Sequence, residues 1–77
     1  MDIMPQANGH TLVIPKTPAI TLLDLPEDAA SDLIVKVQRV ATAVKKAMSA
    51  QGITIVQLNG EAAGQTVPHI HLSLIHI

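Results

Sequence analysis

The stretch from residue 26 to about residue 50 constrains this chain most, because Leu33, Val37, Val40, Val44 and Met48 recur at spacings of three and four. With Ile34 and Ala41 widening the stripe, this is the pattern of one amphipathic helix with a single apolar face, and Met48 reads as core. Pro26 fits the first helical position. Glu27 and Asp28 favour the positive end of the helix dipole, Lys45 and Lys46 favour the negative end, and Gly52 can terminate the run. Such a helix is not stable alone, so its stripe must cover an apolar surface supplied by the rest of the chain.

That surface is predicted to be a sheet. Residues 11–15 form a β-branched, apolar run bounded by Gly9 and Pro15, and residues 17–25 read as a connecting loop punctuated by Pro18 and Pro26. Residues 53–58 form a second strand, Asn59 and Gly60 open a turn, and residues 67–77 alternate as a third strand. The order strand, helix, strand, strand gives an α+β class: an antiparallel sheet with one long helix packed on it, the last two strands forming a hairpin.

Seventy-seven residues allow one small domain, and the absence of cysteine removes disulfides and thiolate metal sites. A net charge of -1 with 14% charged residues offers no footprint for a polyanion, so no nucleic acid partner is expected. No apolar run is long enough for a membrane span and the first residues lack a basic, then apolar, leader pattern, which makes a cytoplasmic protein the expectation. Hydrophobic residues reach 48%, yet Phe, Tyr and Trp are all missing, as if part of a domain's core lay elsewhere.

Chemistry concentrates near residue 70. Side chains two apart on a strand share a face, so His69, His71 and Ser73 are expected on one side, with Ile70, Leu72, Leu74 and His76 on the other. Paired imidazoles beside a glycine-containing loop can act as nucleophile, acid or base near neutral pH. Spacing alone favours the plainer reading of two half-buried histidines bonded to backbone. A metal site is the less favoured reading, since zinc takes three or four protein ligands and only His10 could join the pair. The loop 59–67, NGEAAGQTV, offers glycines for close backbone approach and Gln65 and Thr66 as polar donors, although an ordinary hairpin loop has the same look. A solvated lysine and a satisfied loop histidine are the ordinary explanations of Lys16 and His10.

Taken together, DIMPQANGHTLVIPK and LNGEAAGQTVPHIH resemble the two signature blocks of the histidine-triad family, over residues 2–71. The resemblance implies a HIT-like fold and a nucleotide hydrolase or nucleotidyl transferase acting at the α-phosphate. His71 corresponds to the nucleophilic histidine and His69 to the first of the triad. Asp2 matches the residue that binds ribose hydroxyls. Ile3, His10, Asn59, Gly64, Gln65 and Thr66 fall at nucleotide-binding positions, among which Asn59, Gln65 and Thr66 contact phosphate oxygens or the leaving group. A purine nucleotide or nucleotide conjugate is the expected ligand, a homodimer the expected assembly, and no metal or other cofactor is expected to be required. The alternative is a non-catalytic nucleotide-binding or dimeric interaction module.

Three departures from the family pattern stand out. Ser73 occupies the place of the third histidine, the chain begins inside what should be a strand, and the pattern stops after residue 71. The hexapeptide LSLIHI, residues 72–77, is what a transposon-end sequencing adapter would encode. It is therefore expected to be a non-native tail that continues the last strand of a partial domain spanning residues 1–71. Such a partial domain is expected to lack part of its base pocket and to bind nucleotide poorly.

Overall fold

The computed structural model describes residues 2–7 and 10–77, with residues 2 and 4–7 described as backbone alone. Among these residues the strands are β1 (Asp2–Ala7), β2 (His10–Ile14), β3 (Ile53–Val56) and β4 (Leu72–His76), and the one α-helix is α1 (Glu27–Ala47). Short 3-10 turns cover Leu22–Asp24 and Glu61–Ala63. Among the described residues the four strands form one sheet in the order β1-β2-β4-β3, every neighbouring pair antiparallel. The α+β architecture expected from the pattern is therefore present.

One apolar layer joins helix to sheet. Leu33 and Val37 of α1 are buried against Val13, Ile70, Leu72 and Leu74, with Leu25 closing one end. Ala29, Ala30, Val40, Ala41 and Ile53 pack around this layer, partly covered. Alternation does the sorting: in β4 the buried Leu72 and Leu74 face the helix, and Ser73 and Ile75 face away.

Four expectations need correction. The covered stripe of α1 is narrower than its apolar stripe, leaving Ile34 57% and Met48 44% exposed, so Met48 is not core. The final strand begins at Leu72 rather than residue 67, because Pro68 has no N–H to donate and the His69 and Ile70 amides bond outside the sheet. The His69 amide donates to the Val67 carbonyl at 2.9 Å, and the Ile70 amide donates to the Ala19 carbonyl at 2.9 Å. Strand β3 stops at Val56, beyond which the side-chain Nε2 of Gln57 donates to the Leu58 carbonyl at 3.1 Å. Finally, Asp2–Ala7 is a strand that residue patterning did not reveal, paired along β2 with an irregularity between Pro5 and Ala7.

The helix ends before Gly52. Ala50 N donates to Lys45 O at 2.9 Å and Ser49 N to Lys46 O at 3.2 Å, the paired bonds of a Schellman cap. This places Ser49 at the left-handed position, with φ of 50°. A Cβ there costs roughly 1–2 kcal/mol, partly offset by the extra unfolded-state freedom of glycine. Ser49→Gly is therefore expected to stabilise the fold by about 0.5 kcal/mol, raising the thermal midpoint by about 2–4 °C. An unchanged or lowered midpoint in a thermal melt would contradict this account of the cap.

Candidate active site

The helix-facing burial of Ile70, Leu72 and Leu74 turns the side chains between them to the other side of the sheet. There His69 and His71 line a cavity of about 180 Å³ with Leu12, Ile14 and Val67. The paired-histidine face read from spacing is thus realised even though residues 67–71 are not strand. Ser73 is half-buried and faces the same side, pairing with Leu12 of β2 and Val56 of β3. His76 pairs with Ile53 on the helix side, away from the other two, as alternation requires.

Both histidines are held by backbone carbonyls. Nδ1 of His71 donates to the His69 carbonyl at 3.0 Å, and Nδ1 of His69 donates to the Ile70 carbonyl at 2.9 Å. A carbonyl oxygen only accepts, so each Nδ1 carries its hydrogen and a neutral ring keeps its lone pair on Nε2. For His71 this is the state of a nitrogen nucleophile.

The preceding loop is tied down by amide side chains. Gly60 N–H donates to Gln65 Oε1 at 2.7 Å, while Gln65 Nε2 donates to the carbonyls of Ile20 at 2.6 Å and Val67 at 2.9 Å. Gln65 is only 7% exposed. Both of its amide hydrogens are used internally, so in this conformation it has none to offer a phosphate, a departure from the role the resemblance implied. Asn59 Oδ1 accepts the Leu22 amide at 2.8 Å, and Asn59 and Gln57 exchange two side-chain bonds of 2.8 Å each. Gln57, Ile20 and Leu22 were not among the predicted site residues. The signal available was the run of amide side chains at 57, 59 and 65.

Gly60 and Gly64 take φ of 91° and 99°, a region where side-chain-bearing residues are strained, and this lets the loop fold back so closely. Thr66 is exposed at the loop's far end, beside a cavity of about 390 Å³ that Ile20, Glu61 and Pro68 also line. Among the described residues, the Thr66 and Val67 amides have no protein acceptor. Val67 borders this cavity and the histidine cavity alike, so the two are adjacent.

Of the remaining predicted residues, His10 lies in β2 rather than a loop, paired with Ile75, and its buried Nε2 has no partner among the described residues. Ile3 is 49% exposed and pairs with Val13. Asp2 pairs with Ile14 through its backbone, and its side chain lies outside the described residues. Among the described residues, no three His, Cys, Asp or Glu side chains come together as a metal-ion cluster. Among the described residues, no helix is long and apolar enough to cross a membrane.

Comparison with known proteins places this arrangement. The HIT domain family model matches residues 1–77. The crystal structure of a Hit-like protein from Bartonella henselae superimposes with a TM-score of 0.87 at 53% identity, covering 99% of this chain and 58% of that one. The adenosine 5'-monophosphoramidase of Saccharomyces cerevisiae is 39% identical over 97% of this chain and 45% of its own length. The bis(5'-adenosyl)-triphosphatase of Dictyostelium discoideum is 35% identical over 97% of this chain and 50% of its own length. The chain belongs to the HIT domain family and has that family's fold. It spans about half the length of these two curated relatives.

Because the Asn59 bond to Leu22 joins segments 37 positions apart, Asn59→Ala is expected to cost about 1–2 kcal/mol and to leave the Leu22 amide open to solvent. Faster hydrogen exchange at Leu22, with protection in β2 and β4 retained, is the expected signature. Unchanged exchange at that amide would remove Asn59 from the account of the loop.

Proposed function

We propose that this chain carries the nucleotidyl-transfer centre of a HIT hydrolase, with His71 as nucleophile. The observation that supports it most is the Nδ1–H bond from His71 to the His69 carbonyl, which leaves the lone pair on Nε2 of a ring that lines the histidine cavity. In this reading Nε2 attacks the α-phosphorus of a purine nucleotide conjugate as the bond from phosphorus to the leaving group breaks. The electron pair departs with the leaving group, which takes up a proton. Water then cleaves the phosphorus–nitrogen bond, releasing the mononucleotide and restoring the neutral imidazole. The imidazole supplies the nucleophile, so no metal or other cofactor enters the scheme.

The remaining residues fit supporting roles. The amides of Thr66 and Val67, the Thr66 hydroxyl and the backbone at Gly64 would stabilise charge on the equatorial phosphate oxygens, and positioning of that kind dominates phosphoryl chemistry. Asp2 and Ile3 would bind the ribose side, His10 would face the same site, Asn59 would hold the loop, and His69 would organise hydrogen bonding beside the nucleophile. The relatives' names point to phosphoramidate or dinucleoside polyphosphate substrates, and the setting would be cytoplasmic. A histidine cavity of about 180 Å³ is smaller than the roughly 300–1,000 Å³ of most ligand sites, so this chain is expected to bind adenosine monophosphate weakly.

Ser73 favours a second reading, a nucleotide-binding module without turnover, because a hydroxyl carries no positive charge toward phosphate. Hydrolysis of adenosine phosphoramidate and diadenosine polyphosphates by the chain and its Ser73→His variant separates the two. The enzyme reading expects Ser73→His to raise turnover and His71→Ala to lower it on the order of 10⁴-fold or more, with His76→Ala silent. Turnover that survives His71→Ala would exclude the nucleophile assignment. Saturable binding with no turnover in every variant would favour the binding module.

We also propose a homodimer. Ile34, Val35, Ala41 and Thr42 of α1 and Ile55 of the edge strand β3 line an open hollow of about 490 Å³, with Ile34, Val35 and Ile55 exposed. A patch of this kind is the surface a self-complementary interface would cover. Sedimentation is expected to show a dimer that Ile34→Asp converts to monomer. A monomeric wild-type protein at micromolar concentration would exclude this assembly.

A further inference from the structure

The hydrogen bonds that fix the loop continue into the histidines. Starting at the Ile20 carbonyl, the path runs through the Gln65 amide to the Val67 carbonyl, which also accepts the His69 amide at 2.9 Å. The His69 carbonyl in turn accepts Nδ1–H of His71 at 3.0 Å. Every link is a donor meeting a carbonyl, so each joint of the path has a fixed polarity. The last joint decides which nitrogen of His71 keeps its lone pair, since the bond made by one ring nitrogen determines the state of the other.

We propose that Gln65 is a positioning residue for His71, holding its ring in the Nδ1–H tautomer by fixing the Val67 and His69 carbonyls. Three features single out Gln65. Among the described residues it is the polar one that is buried, at 7% exposure. It bonds three separate backbone positions, Gly60, Ile20 and Val67, and so fixes the start of the path from two sides. Asn59 clamps the same loop to Leu22 but has no bond on the path to the histidines. A loss specific to Gln65 is thus distinguishable from general loosening. The proposal rests on the nucleophile reading only for the significance of a free Nε2; the tautomer itself is measurable without turnover.

The experiment is nitrogen-15 imidazole spectroscopy of the 77-residue protein without nucleotide, on wild type, Gln65→Met, Gln65→Glu and Asn59→Ala. In the wild type, the His71 ring is expected to show a protonated Nδ1 and an unprotonated Nε2. Gln65→Met keeps side-chain length and removes all three bonds, so the two His71 signals are expected to move toward a tautomer average. Gln65→Glu keeps the bond from Gly60 but sets a carboxylate against two carbonyls, and the same shift is expected. Asn59→Ala is expected to leave the His71 signals in place, and His76 is expected to be unmoved throughout.

A wild-type ring with its hydrogen on Nε2 overturns the proposal with no variant needed. It is equally overturned if His71 is unmoved in a folded Gln65 variant, or moves as far in Asn59→Ala. Should Gln65→Met fail to fold, Gln65→Glu decides alone. Turnover surviving His71→Ala would sink the nucleophile reading while leaving the tautomer result standing, so the two failures are distinct.

Discussion

A single apolar layer, with Leu33 and Val37 on one side and Val13, Ile70, Leu72 and Leu74 on the other, decides where everything else can be. A helix of period 3.6 and strands of period two meet along only one face each, so burying one set of side chains exposes the alternate set. His69 and His71 lie on the open side because Ile70 and Leu72 are in the layer. The layer holds no aromatic ring, and full burial falls to β-branched residues and leucines: Val13, Val37, Ile70 and Leu74 are the largest side chains almost completely covered. A core this small leaves little stability in reserve, which is why polar bonds in the loops matter to the geometry of the site.

The loop network does what a larger core would otherwise do. Segments 19–22 and 57–70 touch through the Asn59 and Gln65 side chains and the Ile70 to Ala19 backbone bond, closing a circuit across about half the chain. Side-chain amides suit this task because each offers two donors and an acceptor in a plane, matching backbone groups that would otherwise be left unmet. The price is that an amide committed to the scaffold is not free for a ligand. Under the proposed function, phosphate recognition would then fall to backbone N–H groups and Thr66.

Much of the architecture was legible because it follows from periodicity. The stripe through Leu33 and Val37 specified the helix, the alternation from His69 to His76 specified which histidines share a face, and Pro15 and Gly9 bracketed β2 to within a residue. Strand β1 escaped that logic because Pro5 and the mixed run around it lack alternation, although Asn8-Gly9 is a known hairpin signal. The exposure of Ile34 and Met48 was not legible, since a stripe states which side chains are apolar and not how wide a surface exists to cover them. Nor was the use of Gln65 legible. A glutamine before a histidine pair reads equally as a ligand or as a clamp, and only the positions of Ile20, Gly60 and Val67 distinguish them.

Strand β4 follows β3 in sequence yet lies between β2 and β3 in the sheet, and that placement governs how the molecule must assemble. Before β4 enters, the β1–β2 hairpin and the helix with β3 are two separate pieces, each presenting an unpaired strand edge. Every contact that unites them spans a long stretch of chain, so the entropy of loop closure is lost before the apolar layer can return it. Helix formation can be fast and local; sheet closure cannot. The interval between them is when β2 and β3 are open to pairing with another molecule, so refolding yield should depend on protein concentration more than native stability does.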